Sequence, residues 1–297
     1  MKRFLQRPGI AVFVMGWALG VVSGGACSLA HAQLGKPEGL YYKSWAIVIG
    51  IENYIVAPPI QGAVNDAKRV AQAFRDLKFD EVVEMYDKDV VSRRLHQVLN
   101  DILPRKVGRM DRLVIFYVGH AEAASDVEGE ARSYLVPLDA QLNNPAKAVT
   151  VEELKEFTRR SASKHILLIF DAPVFGWEIT ATQLLSPDGR LEPEGEMDRR
   201  AVQVISAASK GESSSRSDGK SVFVQALLTG LAGAADMDKN GWLMASELGI
   251  YLMQQVQEDS RGRQHPVSVR IDGDGDIVLV EGRKAFTQAD RAAKTTP

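Results

Sequence analysis

A histidine and an aspartate each follow a continuous apolar segment, which is where a parallel sheet presents its functional groups. Residues 113–118 run through one glycine into His120, and residues 166–170 run into Asp171 and then APVFG. Ligands of such sheets bind beyond the carboxyl ends of the strands, where neighbouring loops converge. A histidine there suits acid–base chemistry, although on its own it is more often a structural, hydrogen-bonded imidazole.

A second segment with chemical potential lies at residues 236–247. Its sequence, DMDKNGWLMASE, fits the calcium-loop pattern, with oxygen-bearing residues at alternate positions, glycine at the sixth position and glutamate at the twelfth. The pattern predicts bound Ca²⁺, and the expected ligands are Asp236, Asp238, Asn240, the carbonyl of Trp242, and Glu247. Met244, at the ninth position, would leave its place to water. The alternative is a turn whose acids only cap the next helix.

A shorter acidic run, DGDGD at residues 272–276, is not equivalent to that loop. It has Ile277 where the loop glycine belongs, and it leads straight into a strand pattern. We interpret it as a turn. His96 and His165 are interpreted as surface and strand positions rather than as ligands.

The segments that must position these residues alternate between strand and helix patterns. Apolar runs predict strands at 45–51, 82–86, 113–118, 166–170, 201–207 and 277–280. Helical periodicity predicts helices at 64–77, 92–102, 222–232 and 245–258. Ser92 is expected to cap one helix, and Thr150 with Glu153 forms a capping box for another. Such alternation predicts an α/β fold, with a mostly parallel sheet and helices on both faces.

Five motifs in a fixed order make the interpretation more specific. They are AIVIGIENY at 46–54, GAVNDA at 62–67, LVIFYVGH at 113–120, YLVPLD at 134–139 and IFDA at 169–172. Together they resemble the caspase-like peptidases, in particular the bacterial metacaspase branch, from about Trp45 to Val280. The resemblance implies a caspase-like fold and a cysteine-type endopeptidase, in which a histidine assists a thiolate that attacks a peptide carbonyl.

The resemblance places two catalytic positions in this chain. His120 falls on the family's histidine, and Pro173 falls on the nucleophile position, two residues after Asp171. Proline has no nucleophile and no N–H for the oxyanion hole, and the glycine that follows the family's histidine is Ala121 here. Losing one oxyanion donor typically costs about 3 to 4 kcal/mol of transition-state stabilisation. We therefore expect the domain to be catalytically inactive.

The resemblance also assigns an acidic pocket. Asp66 and Asp171 match positions of a metacaspase pocket that selects Arg or Lys, and two carboxylates could hold a basic side chain. The alternative is that Asp66 caps its helix and Asp171 ties down its loop. We expect a pseudoprotease that binds a peptide or a partner protein.

Three other hypotheses stay open. The first is a working endopeptidase that cleaves after Arg or Lys, which is the activity that the resemblance alone implies. The second places a nucleophile elsewhere, at Ser206 or Ser209, although no carboxylate-oriented histidine is visible near them in the sequence. The third is a purely structural protein of the cell envelope.

The first 32 residues differ in composition from the rest. Three basic residues precede an uncharged apolar run, and the AHA at 30–32 is the small-x-small pattern of signal peptidase. We expect cleavage before Gln33 and a periplasmic or secreted protein. It would contact a membrane only if the segment stays as an anchor or Cys27 is lipidated. Cleavage also removes Cys27, the only cysteine in the chain.

The composition of the whole chain fits a globular protein, and its length permits one large or two modest domains. The chain has 297 residues, of which 25% are charged and 45% hydrophobic, which excludes a disordered or collagen-like protein. Its 36 basic and 38 acidic residues leave no broad cationic surface for nucleic acid. We expect a single caspase-like domain at 41–283, with an internal linker loop at 178–200 and a flexible tail at 284–297.

Overall fold

A computed structural model describes residues 40–125, 129, 131–177, 193–196 and 198–281. The expected export signal, the tail at 284–297 and most of the linker loop at 178–200 lie outside these residues. Within the described part of the chain, no helix is both long enough and apolar enough to span a bilayer.

The strands and helices alternate along most of the chain. The strands are β1 Ser44–Gly50, β2 Glu81–Tyr86, β3 Arg112–Val118, β4 Ala121–Ser125, β5 Ala131–Leu135, β6 Val149–Thr150, β7 His165–Asp171, β8 Ala201–Ser206, β9 Arg216–Ser217, β10 Lys220–Ser221, β11 Leu243–Met244, β12 Val267–Gly273 and β13 Val278–Val280. The helices are α1 Ala63–Asp76, α2 Ser92–Gln97, α3 Leu103–Lys106, α4 Val151–Arg160, α5 Pro193–Glu196, α6 Val222–Thr229 and α7 Ala245–Asp259. Single π-helical turns join α2 to α3 and extend α6.

The central sheet has six strands in the order β12-β8-β7-β3-β1-β2. Five of them run parallel, and β12 pairs antiparallel with β8 at one edge. Every residue of β1, β3 and β7 is buried, as their unbroken apolar sequences predict for strands covered on both faces. The predicted α/β fold is confirmed.

Each face of the sheet has its own hydrophobic core. On one face, Leu99 and Leu103 of the α2–α3 segment and Phe157 of α4 pack against Ile47 and Ile115. The other face is covered by α1, α6 and α7, which contribute Phe74, Phe223, Leu227, Leu248 and Leu252. Helices therefore lie on both faces, and both cores hold the carboxyl ends of β3 and β7 in place.

The two helix caps predicted from the sequence have different outcomes. The capping box is confirmed: Thr150 Oγ1 accepts from the Glu153 N–H, and the Glu153 carboxylate accepts from the Thr150 N–H at 2.8 Å. The prediction for Ser92 is wrong, because Ser92 is the first residue of α2 and Val91 precedes it as the cap residue. The orphan N–H of Ser92 donates instead to Asp139 Oδ1 at 2.7 Å, from a distant loop.

The C-terminal strands differ from the sequence prediction. The strand expected near 277–280 exists as β13, but it pairs with β11 in a separate two-stranded sheet. The sixth strand of the central sheet is β12, which the sequence pattern does not predict. The DGDGD segment supplies the last two residues of β12 and then turns, largely as interpreted. A small antiparallel sheet, β4-β5-β6, also follows His120 unexpectedly.

Candidate active site and its acidic pocket

The register of two neighbouring strands brings His120 and Pro173 to the same level of the sheet. Val118 of β3 pairs with Asp171 of β7. His120 and Pro173 each lie two residues beyond that pair, so both are at the carboxyl edge where adjacent loops meet. The structure thus places the two expected catalytic positions on neighbouring strand ends.

The imidazole of His120 is oriented by a backbone carbonyl. Its Nε2 lies 2.8 Å from the carbonyl oxygen of Pro58. A carbonyl only accepts, so the neutral tautomer that fits this contact carries its proton on Nε2 and its lone pair on Nδ1. Within the described residues, Nδ1 has no hydrogen-bond partner. A base whose ring is fixed by a third group is the arrangement that assists nucleophiles.

Two tyrosines fix the backbone at His120. The hydroxyl of Tyr54 accepts from the His120 N–H at 2.7 Å, and the Tyr117 hydroxyl donates to the His120 carbonyl at 2.7 Å. Burial raises the pKa of both phenols, so they stay protonated. A Cβ at Gly119 would lie 2.5 and 2.6 Å from the two hydroxyl oxygens, which explains why a glycine precedes the histidine.

The loop at Pro173 is pinned by two serines. Ser206 Oγ accepts from the Val174 N–H at 2.9 Å and lies 2.9 Å from the Ala172 carbonyl. Ser133 Oγ accepts from the Phe175 N–H at 3.0 Å. Ser206 is only 1% exposed, so its hydroxyl braces the loop from inside the fold.

Ser209, the other serine considered as a nucleophile, contacts a histidine–carboxylate pair that the sequence did not reveal. His265 Nδ1 lies 2.6 Å from Glu212 Oε1, and the Ser209 N–H donates to Glu212 Oε2 at 3.2 Å. Burial alone would raise the pKa of Glu212, but hydrogen bonds from the His265 backbone and ring lower it below its usual value. The Ser209 hydroxyl donates to the His265 carbonyl at 3.0 Å rather than to the ring.

The expected pocket residues Asp66 and Asp171 lie beside one arginine of the same chain. Both carboxylates are fully buried, and Arg216 of β9 reaches between them. Arg216 Nη2 lies 2.5 Å from Asp66 Oδ2, and Nη1 lies 3.6 Å from Asp171 Oδ2. Arg216 is not predicted from the sequence, because its position in a serine-rich loop has no periodicity that would place it.

Asp66 does not cap its own helix. The residue before α1 is Gly62, and Asp66 Oδ2 instead accepts from the N–H of Ser221 at 3.0 Å. Ser221 is the cap of α6, where its hydroxyl accepts from the Val224 N–H. The carboxylate therefore joins the start of α1 to the start of α6.

Asp171 has one satisfied oxygen and one unsatisfied oxygen. Its Oδ1 accepts from the Ser214 hydroxyl at 2.5 Å, whereas the buried Oδ2 has no hydrogen-bond partner among the described residues. Burial raises the pKa of Asp171, and the hydrogen bond from Ser214 and the charge of Arg216 oppose that rise. The cost of this burial is largest for the ionised form.

The acidic loop at 236–247 gathers three carboxylates. Ligand oxygens of Asp236, Asp238 and Glu247 all lie within 4.8 Å of one another. The loop folds onto its own amides: the Asn240 N–H donates to Asp238 Oδ1 at 3.1 Å, and Asn240 Oδ1 accepts from the Trp242 N–H at 2.7 Å. Hard oxygen donors in this arrangement fit a divalent cation.

Glu247 is the electrostatically most perturbed member of that group. Burial, together with the charges of Asp238, Asp236 and Asp276, raises the pKa of Glu247 to about 7. Its Oε2 also accepts from the Met244 N–H at 2.9 Å, so the carboxylate caps α7 as well. The alternative of helix capping therefore accounts for the contact of Glu247 with Met244.

The fold and the paired strand ends define a caspase-like domain. A family model described as Caspase domain matches residues 43–272, and the chain belongs to that family. No curated protein matches the chain. Among solved structures, it is similar to the crystal structure of protein GSU0716 from Geobacter sulfurreducens, with a TM-score of 0.53, 12% identity, and coverage of 82% of this chain and 96% of that one. This likeness supports the fold alone.

Proposed function

We propose that this protein is a catalytically silent member of the caspase-like peptidase family, which binds a peptide or a segment of a partner protein. The observation that carries the proposal is a proline, Pro173, which lies two residues beyond the Val118–Asp171 pair, as His120 does, and where the family resemblance puts the nucleophile. Proline supplies no nucleophilic atom and no backbone N–H. The loop that ends β7 is held by Ser206 and Ser133 and could still present a surface for binding.

The competing function is an active endopeptidase, which the preserved geometry of His120 favours. A histidine whose ring is oriented by a backbone carbonyl is compatible with a role as a base. However, Ser206 is buried in hydrogen bonds to its own loop, and the Ser209 hydroxyl donates to a backbone carbonyl. Neither serine is presented to His120, so we favour the silent domain.

Export and calcium belong to the same proposal. The basic and apolar start with its AHA site supports export to the periplasm or the medium, where millimolar calcium would suit a loop that binds the ion weakly. Asp236, Asp238 and Glu247 would hold Ca²⁺ and join α6 to α7. The ion would order the domain rather than take part in a reaction.

The first test is hydrolysis. Protein lacking residues 1–32 is incubated with fluorogenic peptides ending in Arg, Lys or Asp, with and without calcium, beside its His120→Ala variant. We expect the two proteins to give the same background signal. Turnover by the wild type above that of His120→Ala would refute the silent assignment.

The second test is binding at the carboxyl edge of the sheet. A labelled peptide library is screened against the wild type, and each ligand is titrated while the His120 ring resonances are followed. We expect Phe175→Ala, which removes a half-exposed ring from the Pro173 loop, to weaken binding at least fivefold. The matched control is Tyr42→Ala, a half-exposed ring at the opposite end of the sheet, which should bind like the wild type. Peptides that bind without moving the His120 signals would place the binding function elsewhere.

A further inference from the structure

The two carboxylates of the expected acidic pocket are already paired with a guanidinium. Arg216 has five N–H donors, and three of them are used on this chain: Nε donates to the Gln61 carbonyl at 3.1 Å, and Nη2 donates to Asp66 and to the Gly219 carbonyl. The remaining nitrogen, Nη1, points towards Asp171. The arginine is thus bound as a ligand would be bound in such a pocket.

The β9–β10 hairpin, which carries Arg216, packs against the start of α1. The β9–β10 hairpin returns through Asp218 and Gly219, both in the left-handed region. Its far strand ends at Ser221, whose N–H donates to Asp66. The Gly219 carbonyl lies so close to Gly62 that a Cβ there would be only 2.0 Å from it. The hairpin and the start of α1 therefore fit each other without room for an intervening side chain.

The charges around the two carboxylates also disfavour a second basic group. Asp66 and Asp171 bring two carboxylates into a buried space, and Arg216, whose side chain is only 18% exposed, brings one positive charge between them. Arg69 approaches Asp66 from the other side, with Nη1 3.4 Å from Oδ1. A second guanidinium entering from outside would meet like charge in low-dielectric surroundings, which is strongly unfavourable.

We propose that Arg216 is an internal occupant of the acidic pocket, which keeps basic side chains of other molecules out while the β9–β10 hairpin stays in place. This inference rests on the proposed function, because it assigns the selectivity of that same binding site. The peptide or partner protein is then recognised by contacts outside this pocket. Only loss of Arg216 uncovers the two carboxylates for a basic ligand.

The test asks whether an added guanidinium compound binds where the Arg216 side chain has been removed. Arg216→Ala is melted in rising millimolar methylguanidinium chloride, with methylammonium chloride as the salt control, beside the wild type and Arg105→Ala, which removes an exposed arginine paired with Asp101. We expect a saturable rise in the melting temperature of Arg216→Ala only, and no saturable rise once Asp66→Asn is added to it. Equal responses of the wild type and Arg216→Ala, or a folded Arg216→Ala without a response, would overturn the inference.

A second measurement decides the matter if Arg216→Ala does not fold. In the wild type, the guanidinium protons of Arg216 should exchange with solvent at least tenfold more slowly than those of Arg105. Exchange at the same rate would show that Arg216 does not occupy the pocket. Neither measurement involves turnover or a peptide, so failure of this inference is distinct from failure of the proposed function, which the hydrolysis and peptide assays test.

Discussion

Val118 and Asp171 face each other across β3 and β7, and this pairing sets the chemistry of the carboxyl edge. Two residues beyond it, one strand presents an oriented imidazole and the other presents a proline. The register of these two strands is strongly specified, because a shift by one residue would turn every buried side chain of either strand to the other face of the sheet.

We predict that Pro173→Cys alone restores little peptidase activity. The substitution supplies a thiol and an N–H, but the residue after His120 remains Ala121, which is held in β4 opposite Leu135. An imperfect oxyanion hole typically costs a factor of about 10² to 10³ in rate. Peptide hydrolysis by Pro173→Cys should therefore stay about 10²-fold or more below that of Pro173→Cys combined with Ala121→Gly.

Reaction with iodoacetamide serves as the control for that experiment, because it shows whether the new thiol is accessible. If Pro173→Cys alone cleaves as fast as the double variant, the site is intact apart from the thiol, and Ala121 does not limit the rate.

We predict that calcium stabilises the wild type through the loop at 236–247. A ligand that binds only the folded state adds RT ln(1 + [L]/Kd), about 2.7 kcal/mol at a hundredfold excess over Kd. Melting curves with and without millimolar calcium should show a shift in the wild type that disappears in Glu247→Gln, because one carboxylate of the converging three is lost. Asp274→Asn, an exposed acid of the DGDGD turn, should keep the shift. An equal shift in wild type and Glu247→Gln would assign the loop to helix capping alone.

His165 should make the domain less stable in acid. Burial lowers the pKa of His165 below 6.5. Its Nε2 donates to the Arg199 carbonyl at 2.9 Å, and its Nδ1 lies 2.7 Å from the hydroxyl of Tyr41, which itself accepts from the Val278 N–H. This chain of bonds is satisfied by the neutral imidazole, with the Tyr41 hydroxyl donating to Nδ1; the charge of Asp276 favours protonation and that of Lys164 opposes it.

The sign of the pH effect follows from linkage. The unfolded chain binds a proton at His165 more readily than the folded chain, so the stabilisation present above pH 6.5 is lost as the pH falls towards the folded pKa. Urea unfolding between pH 7 and pH 5 should show this loss in the wild type and a smaller one in His165→Gln. The matched control is His96→Gln, which removes a partly exposed imidazole and should leave the loss in place. Identical pH dependence in His165→Gln and the wild type would contradict the assignment.

The buried strands at the centre of the sheet were easier to predict from the sequence than β12 at its edge. β1, β3 and β7 have unbroken apolar sequences because both faces of the sheet are covered, and that pattern is local. β12 was missed because its own sequence has no such run: most of its residues are partly exposed or exposed, and its pairing with β8 depends on the rest of the fold.

The candidate site was predictable only where spacing carries information. His120 and Asp171 follow apolar strands at fixed offsets, so their position could be derived from the sequence. Arg216 and the pair of Glu212 with His265 could not, because each joins segments that are distant in sequence, across irregular loops. The helix caps follow the same rule. Thr150 caps its own helix and was predicted from the sequence, whereas the N–H of Ser92 donates to the remote Asp139.

We predict that Gly62→Ala destabilises the domain more than Gly211→Ala does. Both glycines have a left-handed φ, 83° and 86°, so alanine should cost each of them about 1 to 2 kcal/mol. At Gly211 a Cβ meets nothing within 4 Å, whereas at Gly62 it would lie 2.0 Å from the Gly219 carbonyl. Forcing the hairpin away should add about 1 to 3 kcal/mol, the usual cost of overpacking. Urea unfolding of the two variants isolates this contact, because backbone strain is common to both. Equal losses would mean that the β9–β10 hairpin does not pack against the start of α1. This contact would then not hold Arg216 between the two carboxylates.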